Sequence, residues 1–248
     1  MTTLIAIPVG PNITADLLDR AIVHALAQTA EVVVLAVGDG CKPPVSIRHD
    51  RLVVGQFAEH HWAPFVQQAM ILGNPFPWYA PHGADDWIEP NHVASLLALR
   101  SPVNGSGSIL YHEGRKVTMM RSPRTYIEFG VLDTALLRSI GGYNAAEPCG
   151  QDSVLISVLV RTSRFALSRR PTYHKQHRGD SLTHHPETRG GSPLRTGVRL
   201  RNRAALGEME RIGWRNREAI LAYRAGLVPQ KVQEELTEAA LLVENWLH

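Results

Sequence analysis

The sequence predicts an α/β fold: a mixed, mostly parallel sheet flanked by helices, with a small helical appendage toward the C-terminal end. Three observations predict it. Short apolar runs closed by Gly, Pro or Asn alternate with amphipathic stretches through the first hundred residues, the pattern of strand–helix–strand units. The middle of the chain breaks that alternation with a hairpin-like segment. The last fifty residues carry helical periodicity alone, clearest at Leu236, Ala239, Ala240, Val243 and Leu247.

Taken in order, Leu4-Ile5-Ala6-Ile7-Pro8-Val9 reads as a first strand closed by Gly10-Pro11-Asn12. Leu17, Leu18, Ala21, Ile22, Ala25 and Leu26 recur at helical spacing. Glu31 to Val37 gives a second strand, stopped at Gly38-Asp39-Gly40, and Arg51 to Gly55 a third. Trp62, Phe65, Val66, Ala69 and Met70 define the next helix, which Gly73-Asn74-Pro75 ends. Trp78-Tyr79-Ala80 is a short strand running into His82-Gly83-Ala84-Asp85-Asp86, and Pro90 suits the first turn of a helix reaching Leu99. Ser108–His112 and Val117–Arg121 flank Glu113-Gly114-Arg115-Lys116 as a hairpin.

Tyr126 to Leu132 reads as a further strand, and Asp133 or Thr134 caps a short helix that stops at Gly141-Gly142. Gln151-Asp152 opens a helix over Ser153–Arg161, and Arg164–Ser168 and Thr172–His177 read as two strands. Arg178 to Pro193 is polar and glycine-bearing, the composition of a mobile loop. This divides a main domain, 1–185, from a loop and helical extension, 186–248.

With 44% hydrophobic and 20% charged residues, the 248-residue chain can fill a core. No run approaches the roughly 18–20 apolar residues of a membrane span. The N-terminus lacks the basic start and small-residue cleavage site of a signal peptide. The expectation is a soluble cytoplasmic protein that can sit peripherally at a membrane surface. Cys41 and Cys149 lie far apart and form no CxxC pair, which argues against a disulfide framework and a thiolate zinc site. The net charge of +3 hides an asymmetry: from Arg161 to Arg217, 13 Arg and one Lys face only four acidic residues. Such a segment suits a phosphate-rich ligand, nucleic acid, an anionic membrane or simply a solvated helical face.

Ligands of open α/β sheets bind beyond the carboxyl ends of strands. Asp39, Asp85-Asp86 and Asp152 fall at such places. A diphosphate leaving group needs its growing charge neutralised, commonly by a divalent cation on one or two carboxylates and the substrate's phosphates. An acceptor hydroxyl needs a base, which a positioned carboxylate supplies. Each aspartate also has a plain structural reading, as a helix cap or as a turn residue between glycines.

In sequence order, these segments resemble inverting family-2 glycosyltransferases of the GT-A (Rossmann-like) fold. A first strand ends in a proline-containing loop, Ile7-Pro8-Val9-Gly10-Pro11-Asn12, and a second in Gly38-Asp39-Gly40-Cys41. The Asp-x-Asp-Asp signature is matched by Gly83-Ala84-Asp85-Asp86, followed by Trp87-Ile88-Glu89-Pro90. Gly141-Gly142-Tyr143, Gly150-Gln151-Asp152 and then Tyr173, His177 and Ser181-Leu182-Thr183 complete the set over about residues 4–185.

The resemblance implies a nucleotide-sugar donor, a UDP-sugar, and a divalent cation, Mn or Mg. It implies that Pro8 and Asp39 hold base and ribose, with Gln68 near a base-contacting position and Asp86 and Arg178 at the donor. Asp85 would reach the metal, His177 would approach the metal or diphosphate, and Asp152 would deprotonate the acceptor. Gly83 and Gln151 depart from the family's Asp and Glu. The Arg run leaves the acceptor open among a phosphate-bearing glycan, a lipid and nucleic acid, and the C-terminal helices offer a homo-oligomer contact. Two alternatives share parts of the pattern. One is a catalytically silent nucleotide-sugar-binding module on a degenerate fold. The other is a nucleotidyltransferase, whose Gly-rich basic loop after the first strand is missing from Pro8–Asn12.

Overall fold

The computed structural model describes residues 1–112, 114–120, 127–178, 189 and 191–248. β1 (Thr3–Val9), β2 (Val32–Gly38), β3 (Leu52–Gln56) and β4 (Trp78–Pro81) lie parallel in the order β3-β2-β1-β4. Strand periodicity of two sends Ile5 and Ile7 to one face of β1 and Leu4 and Ala6 to the other. Helix α1 (Ala15–Leu26) buries Leu18, Ile22 and Ala25 on the first face. Helix α2 (Ala63–Leu72) buries Phe65, Val66 and Met70 on the second. Each fully buried Leu, Ile, Val or Phe contributes about 1.5–3 kcal/mol, so these two layers hold the loops above them in place.

The second half is mixed. β5 (Trp87–Ile88), α3 (His92–Leu97), β6 (Val103–His112), β7 (Arg115–Met120), β8 (Val131–Asp133), α4 (Thr134–Ser139), α5 (Gln151–Thr162) and β9 (Phe165–His177) follow. β8 pairs antiparallel with β4 and carries the sheet on through β6, β9 and β5, while β7 branches from β6. Among the described residues, four of the eight strand pairings are antiparallel. Asp133 caps α4 by accepting from Leu136 N at 2.7 Å, as its position before the helix suggests.

Two sequence expectations change here, and one short strand is added. The strands read as Arg164–Ser168 and Thr172–His177 are one strand, β9. Pro171 lacks an amide, and a register shift against β6 between Ser106 and Ser108 accommodates the irregular stretch. The strand expected from Tyr126 begins only at Val131, Tyr126 itself lying outside the described residues. The two-residue β5 escaped notice because it is too short to show periodicity. Most of the loop expected over Arg178 to Pro193, including Ser181-Leu182-Thr183, also lies outside the described residues.

The C-terminal extension forms α6 (Pro193–Ile212), α7 (Arg217–Gly226) and α8 (Gln230–Leu247). Leu236, Ala239 and Val243 of α8 join the core that α2 lines. The approach is close: a Cβ on Gly73 would lie 2.4 Å from the Ala240 carbonyl oxygen. Buried Arg224 of α7 donates to the carbonyls of Ile140 and Gly142, fixing the turn after α4. No helix among the described residues is long and apolar enough to cross a membrane.

Two histidines are buried beneath the sheet's upper end. His92 Nδ1 lies 2.7 Å from Thr172 Oγ1, and His82 Nδ1 lies 3.3 Å from the Tyr173 hydroxyl. Burial pulls both imidazoles down to about 3. The unfolded chain therefore takes up protons as pH falls past the ordinary histidine value, while the folded chain does not. Stability is fully present above that value and falls with acidification, by up to about 1.4 kcal/mol per pH unit for each histidine. Melting temperatures between pH 7.5 and 5 should decline, and His92→Gln should flatten the decline. An unchanged slope in the variant would contradict this assignment.

Candidate active site

The carboxyl ends of β1, β2 and β4 open onto one cleft of about 700 Å³. It sits where strand order reverses, with β2 on one side of β1 and β4 on the other, the crevice in which α/β sheets take ligands.

One wall is built by the loop after β1, Pro8 to Ile13, and by Asp39 just beyond β2. Asp39 is buried; its Oδ1 accepts from the His61 amide and its Oδ2 lies 3.2 Å from His60 Nδ1. Burial raises its carboxyl, against the opposing pull of the His61 amide and the two imidazoles. Trp62 and Gln67 face the same space. The Gln67 Oε1 is enclosed and accepts no hydrogen bond among the described residues.

The floor is the turn between β4 and β5. Tyr173 of β9 donates to Asp86 Oδ2 at 2.7 Å and accepts from Gly83 N at 2.9 Å. Asp86 Oδ1 accepts from Gln176 N at 2.8 Å, so both carboxylate oxygens hold protein groups. Burial first, and then the charge of Asp85, pushes the Asp86 carboxyl up to about 7. Asp85 instead meets the guanidinium of Arg178, with Nε 3.1 Å from Oδ2, while Arg20 donates to its backbone carbonyl at 2.8 Å. Burial raises Asp85, and Arg178 and Lys175 oppose the rise.

The far wall is the start of α5. Gly150 adopts a left-handed φ of 66° and turns the chain so that Asp152 enters the first helical turn beside the cleft. Arg195 of α6 lines the same side. Between floor and far wall stands Lys175, whose Nζ lies 3.1 Å from Glu128 Oε1. Burial lowers this ammonium, but Glu128, Asp86 and Asp152 outweigh it and leave Lys175 raised and charged.

The structure thus places Pro8, Asp39, Asp85, Asp86, Asp152, His177 and Arg178 around one cavity, from segments far apart in sequence. Gln68 is a correction. It does not line the cleft; its Oε1 accepts from Tyr143 N at 2.7 Å. A Cβ on Gly142, where φ is 54°, would lie 2.0 Å from that oxygen, so glycine is required there twice over. One helical step away, Gln67 faces the cavity instead. Lys175 and Glu128 were not singled out in the sequence. Lys175 was findable, because residues 173, 175 and 177 share one face of a strand. Among the described residues, no group of three or more His, Cys, Asp or Glu side chains is arranged to hold a metal by itself.

No family model and no curated protein matches the chain. Solved structures do. S. aureus TarS 1-349 in complex with UDP-GlcNAc aligns with a TM-score of 0.65 at 15% identity, over 96% of this chain and 79% of that one. Its complex with UDP aligns with a TM-score of 0.56 at 13% identity, over 99% and 89%. A further structure of TarS 1-349 aligns with a TM-score of 0.55 at 15% identity over 71% of this chain, which there spans only 60% of the TarS chain. The fold is a GT-A-like glycosyltransferase fold. Its curled mixed sheet is the one described above, with the cleft at the reversal of strand order.

In the sequence resemblance, Gly83 takes the place of the first aspartate of the Asp-x-Asp pattern. A Cβ there would lie 2.3 Å from Asp86 Oδ2, an oxygen already fixed by Tyr173. Gly83→Asp should therefore destabilise the fold by about 1–3 kcal/mol, the usual cost of overpacking, without tightening divalent-cation binding. Thermal melts and a Mn²⁺ titration check this. Wild-type stability combined with tighter Mn²⁺ binding would contradict it.

Proposed function

We propose that this chain is an inverting glycosyltransferase that moves a sugar from a UDP-sugar to an acceptor hydroxyl. The observation that carries the reading is the cleft itself. Asp39 and Gln67 lie on one wall, the Asp85–Arg178 pair on the floor and Asp152 on the far wall, at the crevice of a GT-A-like sheet. The TarS structures of similar fold hold UDP-GlcNAc and UDP.

In this reading Asp39 and Gln67 face the nucleotide base and ribose. Arg178 and Lys175 face the diphosphate and offset the charge that grows on it as the bond to the anomeric carbon breaks. Asp152 takes the proton from the acceptor hydroxyl as its oxygen attacks the anomeric carbon from the opposite side. The new glycosidic bond forms as UDP leaves.

A divalent cation, Mn or Mg, would be held in the cleft through Asp85 and the donor's phosphates. Asp86 is spent on Tyr173 and Gln176, so Asp85 is the available carboxylate of the pair, with His177 lining the same space. One carboxylate with the donor's own phosphates is how Mg²⁺ is commonly held, and Arg178 would share Asp85 with the ion. The cation would supply neutralisation of the leaving diphosphate. Free Cys41 and Cys149 suit a reducing, cytoplasmic setting.

Asp152→Asn should lower transfer by roughly 10²–10⁴-fold while UDP-sugars still raise the melting temperature. Transfer retained by Asp152→Asn would remove it as the base. Asp85→Ala should abolish the Mn²⁺-dependent part of donor binding and leave the rest. No stabilisation of the wild type by any nucleotide sugar, with or without Mn²⁺, would contradict the proposal.

A further inference from the structure

The Arg-rich stretch does not form one surface. Arg195 reaches the cleft, whereas Arg161, Arg164 and Arg217 line a separate hollow of about 450 Å³ near the amino ends of β6 and β9. β9 ends at His177 in the cleft and begins at Phe165, so the two sites lie at opposite ends of the same strand.

The hollow combines three guanidinium groups with no acidic residue among those that line it. Like charges so gathered repel, and that repulsion favours an anion that can be shared. Two of the three arginines are already oriented. Arg217 donates to the Thr162 carbonyl, and Arg161 donates to the Ser157 carbonyl at 3.3 Å while lying 5.0 Å over the Trp214 ring. The negative end of α5 is quenched locally: the Leu159 carbonyl accepts from Ser163 N, Val158 from the Thr162 hydroxyl, and Thr162 from Arg217. Arg164 keeps its side chain without a salt-bridge or hydrogen-bond partner among the described residues. The Ser163 hydroxyl is enclosed and likewise has no hydrogen-bond partner among the described residues.

We propose that this hollow is a second anion site that binds a phosphate group, independent of the cleft. The planar guanidinium forks give paired hydrogen bonds to phosphate oxygens. The phosphate can be free or carried on a lipid headgroup, and the two sources are separable.

The test uses the full chain and Arg164→Gln, with exposed Arg169→Gln outside the hollow as the control. Arg164→Gln loses no intramolecular bond among the described residues, so its melting temperature in chloride should equal wild type. One arm titrates inorganic phosphate against chloride at constant ionic strength. The other sediments the protein with phosphatidylglycerol–phosphatidylcholine vesicles. Binding in either arm that weakens about tenfold in Arg164→Gln and is unchanged in Arg169→Gln supports the site and names the source. No binding in both arms would overturn it. So would equal weakening in both variants, which would mean diffuse surface charge.

Discussion

The hydroxyl of Tyr173 ties three things together: the amide of Gly83, the carboxylate of Asp86 and, at longer range, the imidazole of His82. Tyr173 is itself fixed, stacked on Phe129 at 4.1 Å and fully buried. The turn between β4 and β5 is thereby pinned to β9, and Asp86 is given over to holding it. Its neighbour Asp85 instead pairs with Arg178. A buried hydroxyl satisfied as both donor and acceptor leaves little room for alternative geometries.

That lock joins the two halves of the sheet. The parallel half supplies the walls that follow β1 and β2, and the mixed half brings Lys175, His177 and Arg178 on or just beyond a single strand. The acidic groups around the cleft, Asp39, Asp85, Asp86, Glu128 and Asp152, outnumber its Lys and Arg side chains. A dianionic diphosphate entering such a site would need further positive charge. This physical reason, more than the aspartate motif, is what a bound divalent cation would answer.

Much of this was legible in the residues. The apolar runs and their glycine and proline stops located β1, β2, β4, α1 and α2, because burial on both sheet faces leaves little freedom in composition. Asp39, Asp85 and Asp152 were legible as carboxylates at element ends. Other features were not. Gln67 and Gln68 differ by one helical step of about 100°, which a single sequence does not phase to a cavity. Asp86 was expected at the donor, and only tertiary contact shows that Tyr173 and Gln176 hold both of its carboxylate oxygens. The Arg run looked continuous, but folding separates Arg195 from Arg161, Arg164 and Arg217.

In the proposed function, the Tyr173 lock shapes the cleft for a nucleoside diphosphate. Calorimetric titration of UDP into the wild type and into Tyr173→Phe tests it most directly. The wild type should bind UDP, and the folded variant, losing only one oxygen, should bind at least about tenfold more weakly, roughly 1.4 kcal/mol. Equal affinity in the two proteins, or no heat from the wild type, would contradict it.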